Sequence, residues 1–340
     1  MFRTNVRRTM AATAGVAAIL TVTACGSGSS ESGGELRLGH VFAIDSTQNE
    51  AAEAFAEQLE EQSGGELSVD VYPASQLGGD ETLGQDVSRG TLDMAFLNPG
   101  SLATMDPLLD FHYLPYIVSD NEQADEIFFG DGIIPQTLSE TLAEHNMESL
   151  ASFELEFRGV SNSKHAVETV DDLRGLKLRV PGSAAIRGFF DSAGAQTQVM
   201  PMPELITGLQ QDTVDGQDNG VLITHDNSLD RSQAYYTLTQ HVYAIGSIVI
   251  SEETLQGLTD DQQELVRTVA EQVAAEQVEA NRVLVEEYLD RVAENVEVTE
   301  LSEEQLAEFR DFGLSLWDDF AGTYGQDRVD ALRAEVEALG

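Results

Sequence analysis

The chain has 340 residues, 60 of them acidic against 18 Lys or Arg, for a formal net charge of −42. Phosphate binding needs clustered Lys and Arg, so this balance argues against a nucleic-acid partner. The single cysteine, Cys25, rules out an intrachain disulfide and any cysteine-based metal site. Lys164 and Lys177 are the only lysines. An acid-rich, lysine-poor surface suits a high-salt milieu, where screening relieves self-repulsion. A GC-rich genome that replaces Lys by Arg is the other explanation.

The chain opens with Arg3, Arg7 and Arg8, an apolar run from about 11 to 22, then Val22-Thr23-Ala24-Cys25. A charged start, a short apolar stretch and a small-residue site are the parts of an export signal. The run is shorter than the roughly 20 residues a spanning helix needs. Val22 to Cys25 resembles the bacterial lipobox, so residues 1–24 are expected to be a lipoprotein-type signal peptide with Cys25 lipidated. Residues 25–34, rich in Gly and Ser, read as a flexible tether. The mature chain is thus expected outside the cytoplasm, anchored to the membrane surface by lipid.

Residues 35–41 alternate and predict a strand, and 47–62 carry apolar residues at helical spacing up to Gly64-Gly65. A strand over 67–72, a helix over 81–89 and a strand over 92–97 follow. This order predicts an α/β fold with a mainly parallel sheet. A second α/β run starts near Ser152, with strands at 153–160, 176–180, 197–200 and 214–216 and helices at 184–193 and 204–211. Residues 241–251 read as a buried strand. From Asp260 to about 295 the pattern stays helical, with Thr259 as N-cap. About 36 residues at 1.5 Å each give about 54 Å, enough to run along two domains. Residues 303–339 predict two more amphipathic helices. Two α/β lobes tied by several crossings describe a hinge-closing binding protein with its ligand in the cleft. The lobes are expected at 35–155 plus 244–284 and at 156–243 plus 285–340.

Six segments carry a family resemblance: YPASQLGGD (72–80), GTLDMAF (90–96), LPYI (114–117), FRGVSNSKHAV (157–167), LRGLKLRVP (173–181) and MPMPELITGLQQDTVDGQDN (200–219). In this order and spacing the chain resembles the solute-binding proteins of TRAP transporters, the tripartite ATP-independent periplasmic type. The resemblance implies that Arg179, before Val-Pro, pairs with a ligand carboxylate; a guanidinium fork matches two carboxylate oxygens. It implies a second ligand-facing arginine at Arg158 and a hydrogen bond from Asn219. Asp80 and Asn98 fall where the first lobe reaches ligand hydroxyls, and Met202 where the family often packs an aromatic. Gly220 stands where proline is usual, and Ile206 where an aromatic is usual. The position of Asn98 is acidic and that of Ser101 basic in sialic-acid binders, which points away from that ligand. The implied partners are a small and a large membrane permease subunit driven by a sodium gradient.

His40 ends the first strand, where cleft-lining residues arise, and is a further candidate contact. The six histidines form no zinc motif, and no Walker A, GxGxxG or GxSxG occurs. Neither a cofactor nor a metal is expected, and the reading is of a binding protein with no catalysis. The expected ligand is a small organic acid, with a sugar acid such as a uronate favoured over a four-carbon dicarboxylate or a 2-oxo acid. A lipid-anchored sensor and a secreted hydrolase are the competing functions.

Overall fold

A computed structural model describes residues 34–339; the leader, Cys25 and nearly all of the tether lie outside the described residues. The chain runs β1 (Gly34–His40), α1 (Thr47–Gln62), β2 (Leu67–Tyr72), α2 (Asp80–Ser88), β3 (Met94–Leu97), α3 (Asn121–Phe128), α4 (Ile133–Glu144) and β4 (Met147–Phe157). It continues with β5 (Gly159–Asn162), β6 (Lys177–Val180), α5 (Ala184–Ser192), β7 (Gln196–Val199), α6 (Met202–Gln210), β8 (Gly216–Asn219), α7 (Val221–Asp226) and β9 (Tyr235–Thr237). The last elements are β10 (Tyr243–Ser251), α8 (Glu252–Gly257), α9 (Asp260–Ala293), β11 (Glu297–Thr299), α10 (Glu303–Ser315), α11 (Trp317–Tyr324) and α12 (Gln326–Ala338).

Two sheets result, ordered β2-β1-β3-β10-β4 and β11-β9-β5-β8-β6-β7, one in each lobe of a two-lobed α/β fold. In the first, β1 pairs in parallel with β2 and β3, while β10 runs antiparallel to β3 and β4. In the second, β6 is parallel to β7 and β8, and β5 is antiparallel to β8. The chain passes from first sheet to second through Arg158, between β4 and β5, and returns between β9 and β10.

The structure departs from the sequence reading in several places: the short α7, β9, α8 and β11 are additional to it, and β8 lies at 216–219 and not 214–216. α3 and α4 fill a segment to which no element was assigned. The C-terminal stretch makes three helices, because the chain breaks at Leu316 and again at Gly325, whose φ of +91° lies in the glycine-favouring region. These helices do not sit with one sheet alone. Glu335 accepts from the Ile133 amide, and the Trp317 indole donates to the Pro115 carbonyl. Phe312 packs on Phe189 of α5, and Phe320 lies against Gly188.

α9 is the longest element, 34 residues, which at 1.5 Å each is about 51 Å. Thr259 and Gln262 form its capping box, two orphan donors satisfied reciprocally. It packs on α1 and β4 of the first lobe and on α7 of the second. One buried carboxylate, Glu154 of β4, fastens it there. Arg282 Nε reaches Glu154 Oε2 at 2.7 Å, Tyr243 donates to the same oxygen at 2.5 Å, and Asn281 donates to Oε1 at 3.0 Å. Gln277 of α9 accepts from the Glu154 amide at 2.9 Å and donates to its carbonyl at 3.1 Å. Asp125 of α3 holds the far side of the Arg282 guanidinium. Removing the carboxylate leaves the Tyr243 hydroxyl and the Asn281 amide buried without that acceptor, while Arg282 keeps Asp125, so Glu154→Ala is expected to lower unfolding free energy by roughly 1–3 kcal/mol. Chemical denaturation measures this, and a loss below about 1 kcal/mol would show that the cluster does not fasten the helix.

Candidate functional site

Strand register brings the site together. Gly159 of β5 pairs with Asn219 of β8, so Arg158 lies beside the end of β8. Arg179 of β6 pairs with Gln217 of β8, one strand over. Arg179 and Asn219 thus stand at or near the carboxyl ends of adjacent parallel strands. In the first lobe Val41 and Phe42 follow β1, and Asn98 follows β3, again at carboxyl ends. Ligands of open α/β sheets bind outside those ends.

A narrow cavity of about 30 Å³ occupies this place, lined by Val41, Phe42, Asp80, Asn98, Ser101, Leu155, Arg158, Arg179, Pro181, Met202, Asn219, Ile223 and Asn227. Six of the seven residues singled out from sequence line it: Arg179, Arg158, Asn219, Asp80, Asn98 and Met202. The lobes touch beside it. A Cβ added at Gly182, after β6, would lie 2.8 Å from the Ser101 carbonyl oxygen, and one at Gly79 would lie 3.4 Å from Pro203. Glycine at 182 is what lets the two backbones approach this closely.

The two arginines differ in their partners. Arg158, 2 % exposed, is fully engaged on one side: Nε donates to Asp218 Oδ2 at 2.8 Å and Nη2 to the Asp218 carbonyl at 2.5 Å. Its guanidinium lies 5.7 Å from the Tyr113 ring centre, a cation–π distance. Burial alone would raise the Asp218 carboxyl, but Arg158 and the neighbouring His241 outweigh it and hold it below the usual range. Burial likewise opposes the Arg158 charge, and Asp218 more than restores it. Arg179, 3 % exposed, has Nε on the Met200 carbonyl at 2.8 Å. Among the described residues no carboxylate lies within 4.0 Å of it, and its four Nη N–H groups meet no protein acceptor. Burial lowers its pKa to about 10; Asp218, beyond 4.0 Å, acts against this and Arg158 adds repulsion.

Around them the polar groups are fixed from behind. Asn98 Oδ1 accepts from the Tyr113 hydroxyl at 2.7 Å and the Gly100 amide at 3.0 Å, which leaves its amide nitrogen for the cavity. Asn219 donates to Gln217 Oε1, and its carbonyl accepts from Tyr236 at 3.0 Å. Asp80 accepts from the Asn98 amide at 3.2 Å. Burial, then Glu81, push its carboxyl up to about 7.

His40 lies elsewhere. It is fully buried and not among the cavity-lining residues. Its Nδ1 accepts from the Phe42 amide at 3.2 Å and its Nε2 meets Asn49 Oδ1 at 3.1 Å, so it is the neutral tautomer with the proton on Nε2. Burial lowers its pKa to about 4. It stacks on Phe42 at 5.7 Å and so backs a cavity wall. The sequence reading missed Phe42, Ile223 and Asn227. Ile223 and Asn227 have helical spacing, four residues apart, which places them on one face.

The departure at Gly220 has a steric cause. Glu156, at φ +66°, turns its carboxylate onto the start of α7 and accepts from the Leu222 amide at 2.7 Å. A Cβ at Gly220 would lie 2.1 Å from Glu156 Cγ. Burial raises the Glu156 carboxyl to about 8, against the pull of the α7 amides. A larger cavity, about 520 Å³, opens on this side of Arg158 and includes Glu154, Glu156 and Arg282. Its carboxylates are already met by Arg282 and by α7, so it holds no uncompensated cation for an anion.

Two sheets presenting strand ends to a buried, cation-lined cavity define a two-lobed solute-binding protein. The family described as bacterial extracellular solute-binding protein, family 7, matches residues 38–323, and the chain belongs to it, as a TRAP transporter solute-binding protein. The chain is 30 % identical over 237 residues to the 2,3-diketo-L-gulonate-binding periplasmic protein YiaO of Escherichia coli, covering 69 % of this chain and 72 % of that one. It is 27 % identical to the sialic acid-binding periplasmic protein SiaP of Vibrio cholerae, over 93 % of this chain and 97 % of that one. The crystal structure of the sugar acid binding protein DctPAm from Advenella mimigardefordensis, in complex with galactonate, superposes with a TM-score of 0.86. It is 27 % identical and covers 90 % of this chain and 99 % of its own. The family is one of transport binding proteins and not of enzymes. Among the described residues, no helix is long and apolar enough to cross a membrane, and no group of three or more His, Cys, Asp or Glu is placed to hold a metal.

Gly220→Ala is expected to cost roughly 1–3 kcal/mol by overpacking against Glu156. In a Glu156→Ala background the same substitution should cost less than half as much, measured as a double-mutant cycle in urea. Equal costs in both backgrounds would show that the two positions are not coupled.

Proposed function

We propose that this protein captures a small organic acid outside the cytoplasm and delivers it to a TRAP permease of one small and one large membrane subunit. The favoured ligand is a sugar acid such as a uronate. The observation that carries this is Arg179: a buried guanidinium in a closed cavity whose Nη groups have no protein acceptor among the described residues. A charge held out of water in this way calls for an anion brought by the ligand. Arg179 would take both carboxylate oxygens, while Arg158 and Asn219 reach the same end. Asp80, Asn98 and Ser101 would read hydroxyls, and Met202 would cover an apolar face of the ligand. His40 would act through Phe42.

The relatives' printed ligands, a diketogulonate, sialic acid and galactonate, are acids of this chemical kind and support the assignment. Asn98 and Ser101 carry no charge, which argues against sialic acid here. Arg158 lies at the crossing between β4 and β5, and so would report ligand charge to the junction about which the lobes close. Cys25, with the Gly/Ser segment after it, would tether the domain through a lipid.

Binding to the native state raises the melting temperature by mass action, so a panel of aldonates, uronates and dicarboxylates should give a clear shift with at least one sugar acid. Arg179→Ala should weaken that ligand by about 2–5 kcal/mol in titration calorimetry, and Arg179→Lys by less, since a point charge replaces the fork. Normal binding by a folded Arg179→Ala protein would remove Arg179 from the clamp.

A further inference from the structure

Counting the charges that reach the cavity gives a result that goes past the general preference for an acid. Three ionisable side chains line it: Asp80, Arg158 and Arg179. The Arg158 charge is already balanced, because Asp218 lies 2.8 Å from its Nε and is wholly buried with it. His241, its Nε2 3.5 Å from the same Asp218 oxygen, is kept neutral by burial and adds no charge. His112, also fully buried, is depressed by burial to about 3 and is neutral too. That leaves Arg179 as the cation with no carboxylate within 4.0 Å among the described residues; Asp218, Glu81 and Asp80 act on it from farther away. Glu81, half-buried beside them, adds negative potential at the rim.

Building on the organic-acid function proposed above, we infer that the cavity is matched to a single negative charge, and that Asp218, by neutralising Arg158, sets this limit. A monoanionic sugar acid balances Arg179. A dianion of the same carbon skeleton brings a second carboxylate into a closed, poorly hydrated space that holds no second free cation and does hold Asp80. An uncompensated buried charge costs several-fold more than a neutral hydroxyl that can find hydrogen bonds. Asn98 Nδ2 and the Ser101 hydroxyl suit such a hydroxyl, not a carboxylate.

Asp80 makes the same limit depend on pH. The groups facing it are Arg179, Glu81, Ser101 and the Asn98 amide. With its carboxyl raised to about 7, Asp80 is protonated below that pH and the cavity carries one net positive charge. Above it Asp80 ionises, the cavity becomes neutral, and an anionic ligand meets repulsion. The affinity for a monoanion is therefore full below pH 7 and falls as pH rises through that value, by at most about tenfold per unit.

The test is titration calorimetry of the mature domain with matched pairs: galactonate and galacturonate against galactarate, and gluconate against glucarate. The wild type is expected to bind a monoacid at least about 30-fold tighter than the diacid of the same skeleton. Equal affinity, or a preference for the diacid, would overturn the inference and leave the organic-acid function standing. Failure of every acid in the panel would remove that function, and this inference with it. Asp218→Asn keeps an acceptor for Arg158 but frees its charge, so the ratio should move toward the diacid by about tenfold or more. An unchanged ratio in folded protein would contradict the role given to Asp218. Should that variant not fold, the wild-type pH profile decides: monoacid affinity flat from pH 6 to 9 would contradict the charge count, and a fall above pH 7 that Asp80→Asn abolishes would support it.

Discussion

A guanidinium removed from water must be met by negative charge, by acceptors, or by both. This chain buries two at one place and treats them differently. Arg158 receives Asp218 and becomes part of the scaffold, while Arg179 receives one carbonyl and no carboxylate within 4.0 Å among the described residues. In a protein with 60 acidic residues, withholding a carboxylate from Arg179 is a matter of construction and not of supply. The strand pairing does it. β8 bonds Asp218 to Arg158, so that it acts on Arg179 only from beyond 4.0 Å.

The surrounding structure serves to hold that asymmetry. Tyr113, Asn98 and Gln217 are each bonded from behind, so the cavity presents oriented groups that need little ordering on binding. Glu156 occupies the space that Gly220 vacates and steadies the helix carrying Ile223 and Asn227. Glu154 binds α9 to the crossover strand, only four residues before Arg158. A charge placed in the cavity thus acts on the segment where the two lobes join.

Much of this was legible in the sequence. Strands and helices of the first 100 residues follow apolar periodicity within one or two positions, and Thr259 marks the start of α9 as its side chain allows. Arg179 stands out as an arginine before Val-Pro in a very acidic chain, while Arg158 comes from the family resemblance alone. What the sequence hid has physical causes. The strand predicted at 214–216 lies instead at 216–219, where GQDN has no apolar residue to mark it, yet all four residues are buried, their polar groups met by Ser161, Thr224, Arg158 and Tyr236. His40 looked like a cleft residue, but its own Phe42 amide and Asn49 claim both ring nitrogens. The break at Gly325 separates two helices of continuous polarity, which periodicity alone does not see.

The most direct test is a crystal structure of the mature domain grown with a sugar acid that binds it. The ligand carboxylate is predicted to lie on the Nη groups of Arg179 at about 2.7–2.9 Å, with the Arg158–Asp218 pair intact. A carboxylate seated elsewhere, with Arg179 turned onto a protein acid, would contradict the assignment on which the function rests.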